Sequence, residues 1–406
     1  MHILLVHQAF VSPKDAGGTR HIELAKPFVS QGHQFTIVAS RYNYLSGQQT
    51  EGALDDEFHD GVRVIRANCI GGQHRSYVWR VVAFVSFMIS AVYKGARVKN
   101  VDVVMGTSPS LFQAVSAWMI SVIRRRPFVL EIRDLWPEFA IDIGLLTNPA
   151  LIWMARRVEL FLYRRATHML VNSPAYRDYL ISKGVPAENI SFIANGVDPQ
   201  MFSIHRGDDT IRSEFGLQDK FVVTYAGAIG MANDLDTLLD AAEQLRQESD
   251  IHFLIVGDGK ERGRLQTVVE TAGLTNVTFT GARPKSEMPN LLAESDACLA
   301  ILKNIPMFKT TYPNKVFDYM AAKRPIVLAI DGVIRDVVEE AKGGICVSPG
   351  DSKALADAVL QMHQHPQQRI EMGLAGQRYV AEHFDRRKHA LQFQQMALEI
   401  GARRAA

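Results

Sequence analysis

Residues 310–330 read TTYPNKVFDYMAAKRPIVLAI, which is the end of a loop, a short helix and a buried strand in direct succession. Pro313 suits the first helical position, because its missing N–H is not needed there and its φ is already helical. Val316, Met320 and Ala321 follow at helical spacing. Pro325 stops the helix, and residues 326–330 form the apolar run expected of a strand covered on both faces. Lys315 is out of place: it stands in the first turn, at the positive end of the helix dipole, where carboxylates are preferred. Two readings fit. An anion absent from the chain would satisfy both Lys315 and the free N–H groups of the helix start, with Asp318 one turn later accepting bonds from a sugar hydroxyl. Alternatively, Lys315 and Asp318 form a solvated i,i+3 pair that contributes a few tenths of a kcal/mol.

Working outward, the chain of 406 residues is too long for one ordinary core, so two domains are expected. Hydrophobic residues at 47% and charged residues at 22% are those of a folded protein and exclude disorder. The net charge is +2, yet residues 1–195 carry 21 Lys/Arg against 15 Asp/Glu, so the basic excess lies in the first half. Combined with the most apolar surface candidates, this suggests an anionic membrane face rather than nucleic acid, for which there is no motif. Cys69, Cys298 and Cys346 lie far apart without metal-type spacing and read as small buried hydrophobes of a reducing compartment. Met1 runs directly into HILLVHQAF, so a cleavable leader is not expected and the location is expected to be cytoplasmic.

The first half alternates strands and helices. Strand 2–7, a loop with Gly17 and Gly18, a helix from Ile22 and strand 35–39 make a βαβ unit. The loop lacks G-x-G-x-x-G and is not an NAD fingerprint. Residues 43–60 read as a mobile polar loop. Residues 81–93, VVAFVSFMISAVY, are flanked by Arg75, Arg80, Lys94, Arg97 and Lys99. They are too short for an unaided bilayer span and fit either a buried helix or an interfacial one. Strand 128–132 leads into Arg133, Asp134, Trp136 and Glu138, placed where open α/β sheets put their sites; Arg133 and Asp134 could equally pair with each other and cap a helix. Polar residues 205–220 are the expected boundary. The second half starts afresh: strand 221–225 runs into AGAIG, and strand 252–256 into GDGKER. Arg262 and Lys315 could each neutralise a pyrophosphate charge. Two such α/β domains face to face would leave one cleft.

The pieces GGTRHIELA, RDLWPE, IANGVD, YAGAIG, VGDGKERGRL, TFTG and PNKVFDYMAAKRPIV run almost end to end. In this order the chain resembles the family 4 retaining glycosyltransferases, more narrowly the bacterial branch of fucosamine and amino-sugar transferases that builds surface polysaccharides. The resemblance implies an α/β fold of GT-B type: two facing Rossmann-like doubly wound domains, residues 1–200 on the acceptor side and 201–380 on the nucleotide-sugar side. A C-terminal helix, 381–406, would pack back on the first. It implies donor binding by Gly227, Arg262, Arg283, Asn314, Lys315 and Asp318, with Gly17 and Gly18 approaching from the other domain. Asp134 and Arg133 would be catalytic, and Arg20, Trp136 and Glu138 would serve the acceptor. The partners implied are a UDP-sugar donor and a lipid-linked saccharide acceptor in O-antigen or capsule synthesis, with peripheral membrane contact. The family's first motif Glu is replaced by Thr310, and Ile229 and Asn233 stand where an Arg and a Lys are frequent. No metal or other cofactor is expected, since cations and a helix N-terminus can neutralise the leaving diphosphate; Asp234 and Asp236 resemble D-x-D but start a helix, where a cap and a solvated carboxylate are expected. Two other classes share the pattern: a sugar-nucleotide epimerase, which needs acid/base carboxylates, and a transferase-like protein that binds without turnover.

Overall fold

The computed structural model describes residues 1–10, 20–42, 56–70, 77–202 and 210–402. Gly17, Gly18 and residues 43–55 lie outside that set. The strands are, in chain order, β1 (His2–Val6), β2 (Gln34–Ser40), β3 (Asp56–His59), β4 (Val62–Ala67), β5 (Val103–Thr107), β6 (Phe128–Ile132), β7 (His168–Val171), β8 (Ile190–Phe192), β9 (Phe221–Ala226), β10 (Ile251–Val256), β11 (Val277–Gly281), β12 (Ala297–Ile301), β13 (Ile326–Ala329) and β14 (Gly344–Cys346). They form two sheets, in the orders β3-β4-β2-β1-β5-β6-β7-β8 and β11-β10-β9-β12-β13-β14. Every described pairing is parallel except β3 with β4. The second order is 3-2-1-4-5-6 by strand, the Rossmann sequence, and the first contains the same core around β1 and β5. Strands β1, β5, β6, β10 and β12 are buried at every residue. Such strands need predominantly apolar runs, which the sequence supplies, and their few polar residues, such as Glu131, are buried with them.

The compact units are residues 1–194 with 386–406, and residues 195–385. The division thus falls after Ala194 and not after residue 200. The cause is local: the Arg20 guanidinium donates to the carbonyls of Ile193 (2.9 Å) and Ala194 (2.8 Å), fastening the end of the first segment to its own unit. Residues 381–383 still belong to the helix Pro366–His383, and the returning helix is Arg386–Ala402. Its Ala390, Phe393, Ala397 and Ile400, at spacings of three and four, are buried in the core of the first unit. Arg386 pairs with Glu23 of the helix Arg20–Ser30.

Part of the stretch expected to be loop is a strand. β3 is polar, yet it pairs antiparallel with β4, because Asp56 binds Arg63 and Glu57 binds Arg66 across the ladder. Such cross-strand ion pairs replace the apolar alternation by which strands are read.

Beneath β6 lies a buried charge cluster. Glu131 is wholly enclosed, accepts from Arg20 Nε at 3.0 Å and His21 Nε2 at 2.6 Å, and is held well below the usual carboxylate range. Desolvation opposes that shift, and the His21 and Arg20 contacts overcome it. Removing Arg20 leaves the carboxylate without its cation, so Arg20→Met is expected to destabilise the first unit by about 3–5 kcal/mol. Urea unfolding at neutral pH measures this; a loss below about 1 kcal/mol would show that the pair is not what holds Glu131 ionised.

Candidate functional site

In the second unit the loops after β9, β10 and β11 are stacked by backbone bonds. Gly227 N–H donates to Val256 C=O (2.9 Å), Ile229 N–H to Asp258 C=O (2.9 Å) and Gly257 N–H to Gly281 C=O (2.9 Å). The approach is too close for side chains: a Cβ on Gly257 would lie 1.9 Å from the Gly227 oxygen. The strand order reverses between β9 and β12, and open α/β sheets bind ligands at that point.

Lys315 comes to this place from the helix Asn314–Ala321, which follows β12. The helix is pinned there by Tyr319, whose hydroxyl receives the Ala226 N–H (2.8 Å) and donates to the Ala226 carbonyl (3.1 Å). Lys315 Nζ lies 3.8 Å from the centre of the Tyr225 ring and against Gly227, where a Cβ would come within 2.5 Å of it. It is buried and has no hydrogen-bond partner among the described residues. Burial pushes its ammonium down to about 7. The solvated Lys315–Asp318 pair is therefore not formed. The helix start is uncapped by any side chain, Pro313 being the cap residue rather than the first helical one. An unpaired cation beside a helix start without a side-chain cap is an arrangement that an anion would satisfy.

Arg262 opens the helix Arg262–Ala272 beside it. Its guanidinium reaches Asp258 at 3.2 Å and packs near Gly281, and its buried Nε lacks a partner among the described residues. Asn314 is exposed at the helix start and Asp318 half-buried one turn on. Arg283 is held by Glu214, 3.6 Å from Glu287 and above the Phe215 ring at 5.6 Å. Asp236 of the D-x-D is not simply solvated: both its oxygens accept from Arg264 at 2.8 Å. Asp234 stands at the cap position, but its carboxylate receives the Thr237 hydroxyl (2.7 Å) and no backbone N–H.

In the first unit the matching reversal lies between β1 and β5. Ser108 Oγ accepts the N–H groups of Arg133 (2.7 Å) and Asp134 (3.0 Å), which fixes the turn after β6. Arg133 and Asp134 do not form an ion pair; Arg133 Nη1 donates instead to His7 Nε2 at 3.4 Å. The Asp134 carboxyl is pushed up to about 6 by desolvation, against the pull of Arg133. Trp136 is half-buried beyond the turn. Two residues expected on the acceptor side are engaged by the protein itself. Arg20 is buried with its donors used by Glu131, Ile193 and Ala194. Glu138 accepts two bonds from Arg156, both at 2.9 Å. Sequence reading missed His7, Ser108, Tyr225 and Tyr319; all but Tyr319 end a strand or begin the loop after one, which is the signal that could have found them.

Two Rossmann-like units, each with a reversal of strand order at its centre, define an α/β architecture of GT-B type. Residues 17–196 match the family described as "Glycosyl transferase 4-like domain", and residues 220–365 the family described as "Glycosyl transferases group 1". The chain belongs to this glycosyltransferase family and is a glycosyltransferase. It is 26% identical over 375 residues to a protein of Escherichia coli (strain K12) that bears the name colanic acid biosynthesis glycosyl transferase WcaI, with 88% of this chain and 91% of the relative covered. It is also 26% identical over 375 residues to a GDP-mannose-dependent alpha-mannosyltransferase of Mycobacterium tuberculosis (strain CDC 1551 / Oshkosh), with 92% and 90% covered. Anabaena Alr3699/HepE, solved in complex with UDP-glucose, superposes with a TM-score of 0.75 at 21% identity, over 98% of this chain and all of that one.

The depressed Lys315 has a stability signature. Its folded form sheds the proton near pH 7 while the unfolded chain keeps it to about 10.4, so stability rises with pH across that window. Lys315→Met is expected to be more stable than wild type at pH 6–7, by a margin that shrinks toward pH 10. Urea midpoints at several pH values measure it, and a pH-independent difference would contradict the burial of an unpaired ammonium.

Proposed function

We propose that the protein transfers a sugar, an N-acetylated amino sugar, from a UDP-sugar to a lipid-linked or saccharide acceptor in bacterial surface polysaccharide synthesis, O-antigen or capsule, with retention at the anomeric carbon. The observation that carries the donor half is the buried, unpartnered Lys315 ammonium at a helix N-terminus. A diphosphate supplies the charge this group lacks, and Arg262 supplies a second cation. As the sugar–phosphate bond breaks, negative charge grows on the leaving diphosphate, and groups fixed beforehand stabilise it without reorganising. Charge neutralisation by side chains and helix makes a divalent metal unnecessary. Gly227 admits the phosphates, Asn314 extends the helix start, Asp318 receives the ribose, and Arg283 stands by the base. Asp134 and Arg133 are the catalytic groups of the first unit. Trp136 remains its acceptor-side candidate, since Arg20 and Glu138 are already bound. The polysaccharide role draws on the name of the Escherichia coli relative, and the choice of UDP on HepE in complex with UDP-glucose.

Calorimetric titration with UDP, GDP and dTDP in EDTA tests the donor pocket. One nucleotide is expected to bind, and Lys315→Ala to weaken it about 30-fold or more, the loss typical of truncating one partner of a buried charge pair. At pH 8 the diphosphate should return the proton to Lys315. Heats in phosphate and Tris buffers should then differ by the uptake of one proton, and agree in the mutant. Absence of binding by all three nucleotides would refute the reading.

A lipid-linked acceptor requires access to the membrane face. Residues 81–93 lie in the helix Tyr77–Gly95, which buries Ala83, Phe87 and Ala91 and exposes Val82, Ile89 and Tyr93. The segment is thus part core and part surface, and no described helix is long and apolar enough to cross a membrane. Arg97 covers the Tyr93 ring at 3.4 Å, placing a cation beside exposed apolar groups. The double change Ile89→Glu and Tyr93→Glu is expected to lower partitioning into phosphatidylglycerol liposomes several-fold with the melting temperature kept. Unchanged partitioning would remove this helix from the membrane contact.

A further inference from the structure

The C-terminal edge of the first sheet holds polar side chains that the donor reading does not use. Gln8, two residues after the end of β1, is 3% exposed. Its backbone is satisfied: the N–H donates to Gln113 Oε1 (2.6 Å) and the carbonyl accepts from Ser40 (3.1 Å). Its side-chain oxygen and nitrogen, both buried, have no partner among the described residues. His7 beside it is 6% exposed. Because Nε2 accepts from Arg133, the ring hydrogen of the neutral imidazole must sit on Nδ1, and that buried N–H meets no described acceptor. Ser110, at the start of the helix Leu111–Arg124 after β5, has a buried hydroxyl that neither caps its helix nor has another partner among the described residues. Gln113 of that same helix holds the Gln8 backbone, so the three residues belong to one locality at the β1–β5 reversal.

Each buried polar group left unpaired is costly, and native proteins seldom gather several in one place. The unused atoms are an amide N–H₂, an amide oxygen, an imidazole N–H and a hydroxyl. An anion would oppose the amide oxygen, and an apolar ligand would leave all four unsatisfied. Hydroxyl groups, each both donor and acceptor, match the set. We infer that His7, Gln8 and Ser110 form a subsite for neighbouring hydroxyls of a neutral sugar ring. This rests on the glycosyl-transfer reading above, and names residues for the sugar where that reading named them for the diphosphate. The ring belongs either to the donor's transferred sugar or to the acceptor.

The test uses the full chain labelled with ¹⁵N-histidine, the His7 signal being assigned by its loss in His7→Gln. Probes are the methyl α-glycosides of glucose, galactose, mannose and N-acetylglucosamine, with sodium phosphate and acetate as anion controls. The expected result is a saturable shift of the His7 Nδ1 resonance with at least one glycoside, weakened tenfold or more in Gln8→Leu. That variant should keep or raise the melting temperature, because it replaces an unsatisfied amide by an apolar group of similar shape. No response to any glycoside, a response to the anions instead, or a Gln8→Leu variant that melts earlier yet binds glycoside unchanged would each overturn the inference. Repeating the titration with UDP, UDP-glucose or UDP-N-acetylglucosamine present separates the two sources. Blocking by a UDP-sugar but not by UDP assigns the subsite to the donor's sugar, and persistence with all three assigns it to the acceptor. Calorimetry with UDP on the same samples keeps the two readings apart: without UDP binding the donor pocket fails while the glycoside result stands, and the reverse pattern sinks only the subsite.

Discussion

An ammonium group held out of water with no carboxylate beside it is the constraint around which the second unit is arranged. Lys315 rests on the ring of Tyr225 and against the backbone of Gly227, and neither contact returns what hydration gave it. The surrounding features follow from that placement. Gly227 lacks a Cβ because Nζ occupies the space, and the next glycine loop presses on the first so closely that Gly257 must lack one as well. Tyr319, one helical turn from Lys315, locks the helix to the end of β9 through both backbone groups of Ala226. A carboxylate in this place would stabilise the free protein and would also compete with any anionic ligand. The arrangement is strained in energy, not in geometry.

The first unit treats buried charge in the opposite way. Glu131 is deeper still, yet Arg20 neutralises it, His21 bonds it, and the remaining Arg20 donors close on Ile193 and Ala194. That cluster is a rigid floor. Above it, at the strand ends, Ser108 fixes the backbone of Arg133 and Asp134 and leaves the Asp134 carboxyl without an ion-pair partner. Satisfied charge below and unsatisfied polar groups above divide this unit into a part that holds the fold and a part open to chemistry.

The candidate site was legible where its signal was local. Lys315 in a first helical turn violates the dipole preference whatever the rest of the chain does, and Arg133 and Asp134 directly follow a strand that is buried at every residue. The protein partners of Arg20 and Glu138 were not legible because nothing near them in sequence announces one. Arg20 meets Glu131 across 111 residues, and Glu138 meets Arg156 on a different helix. The polar strand β3 was read as loop for the same reason, since its pairing depends on the charges of β4. Residues 81–93 offered a buried and an interfacial reading; the helix buries Ala83, Phe87 and Ala91 and exposes Val82, Ile89 and Tyr93, so it is not wholly core.

Apolar runs, glycine turns and helical spacing are properties of neighbouring residues, so two doubly wound α/β domains, and the strand-end loops on which their sites sit, follow from the amino-acid order alone. Which strands adjoin, and hence that β9 meets β12 and β1 meets β5 at the points of reversal, is decided by packing between distant segments. The same holds for charge. Composition counts the cations, but only the folded chain determines that Arg20 is neutralised while Lys315 is not, because an ion pair depends on separation in space and on the water excluded around it.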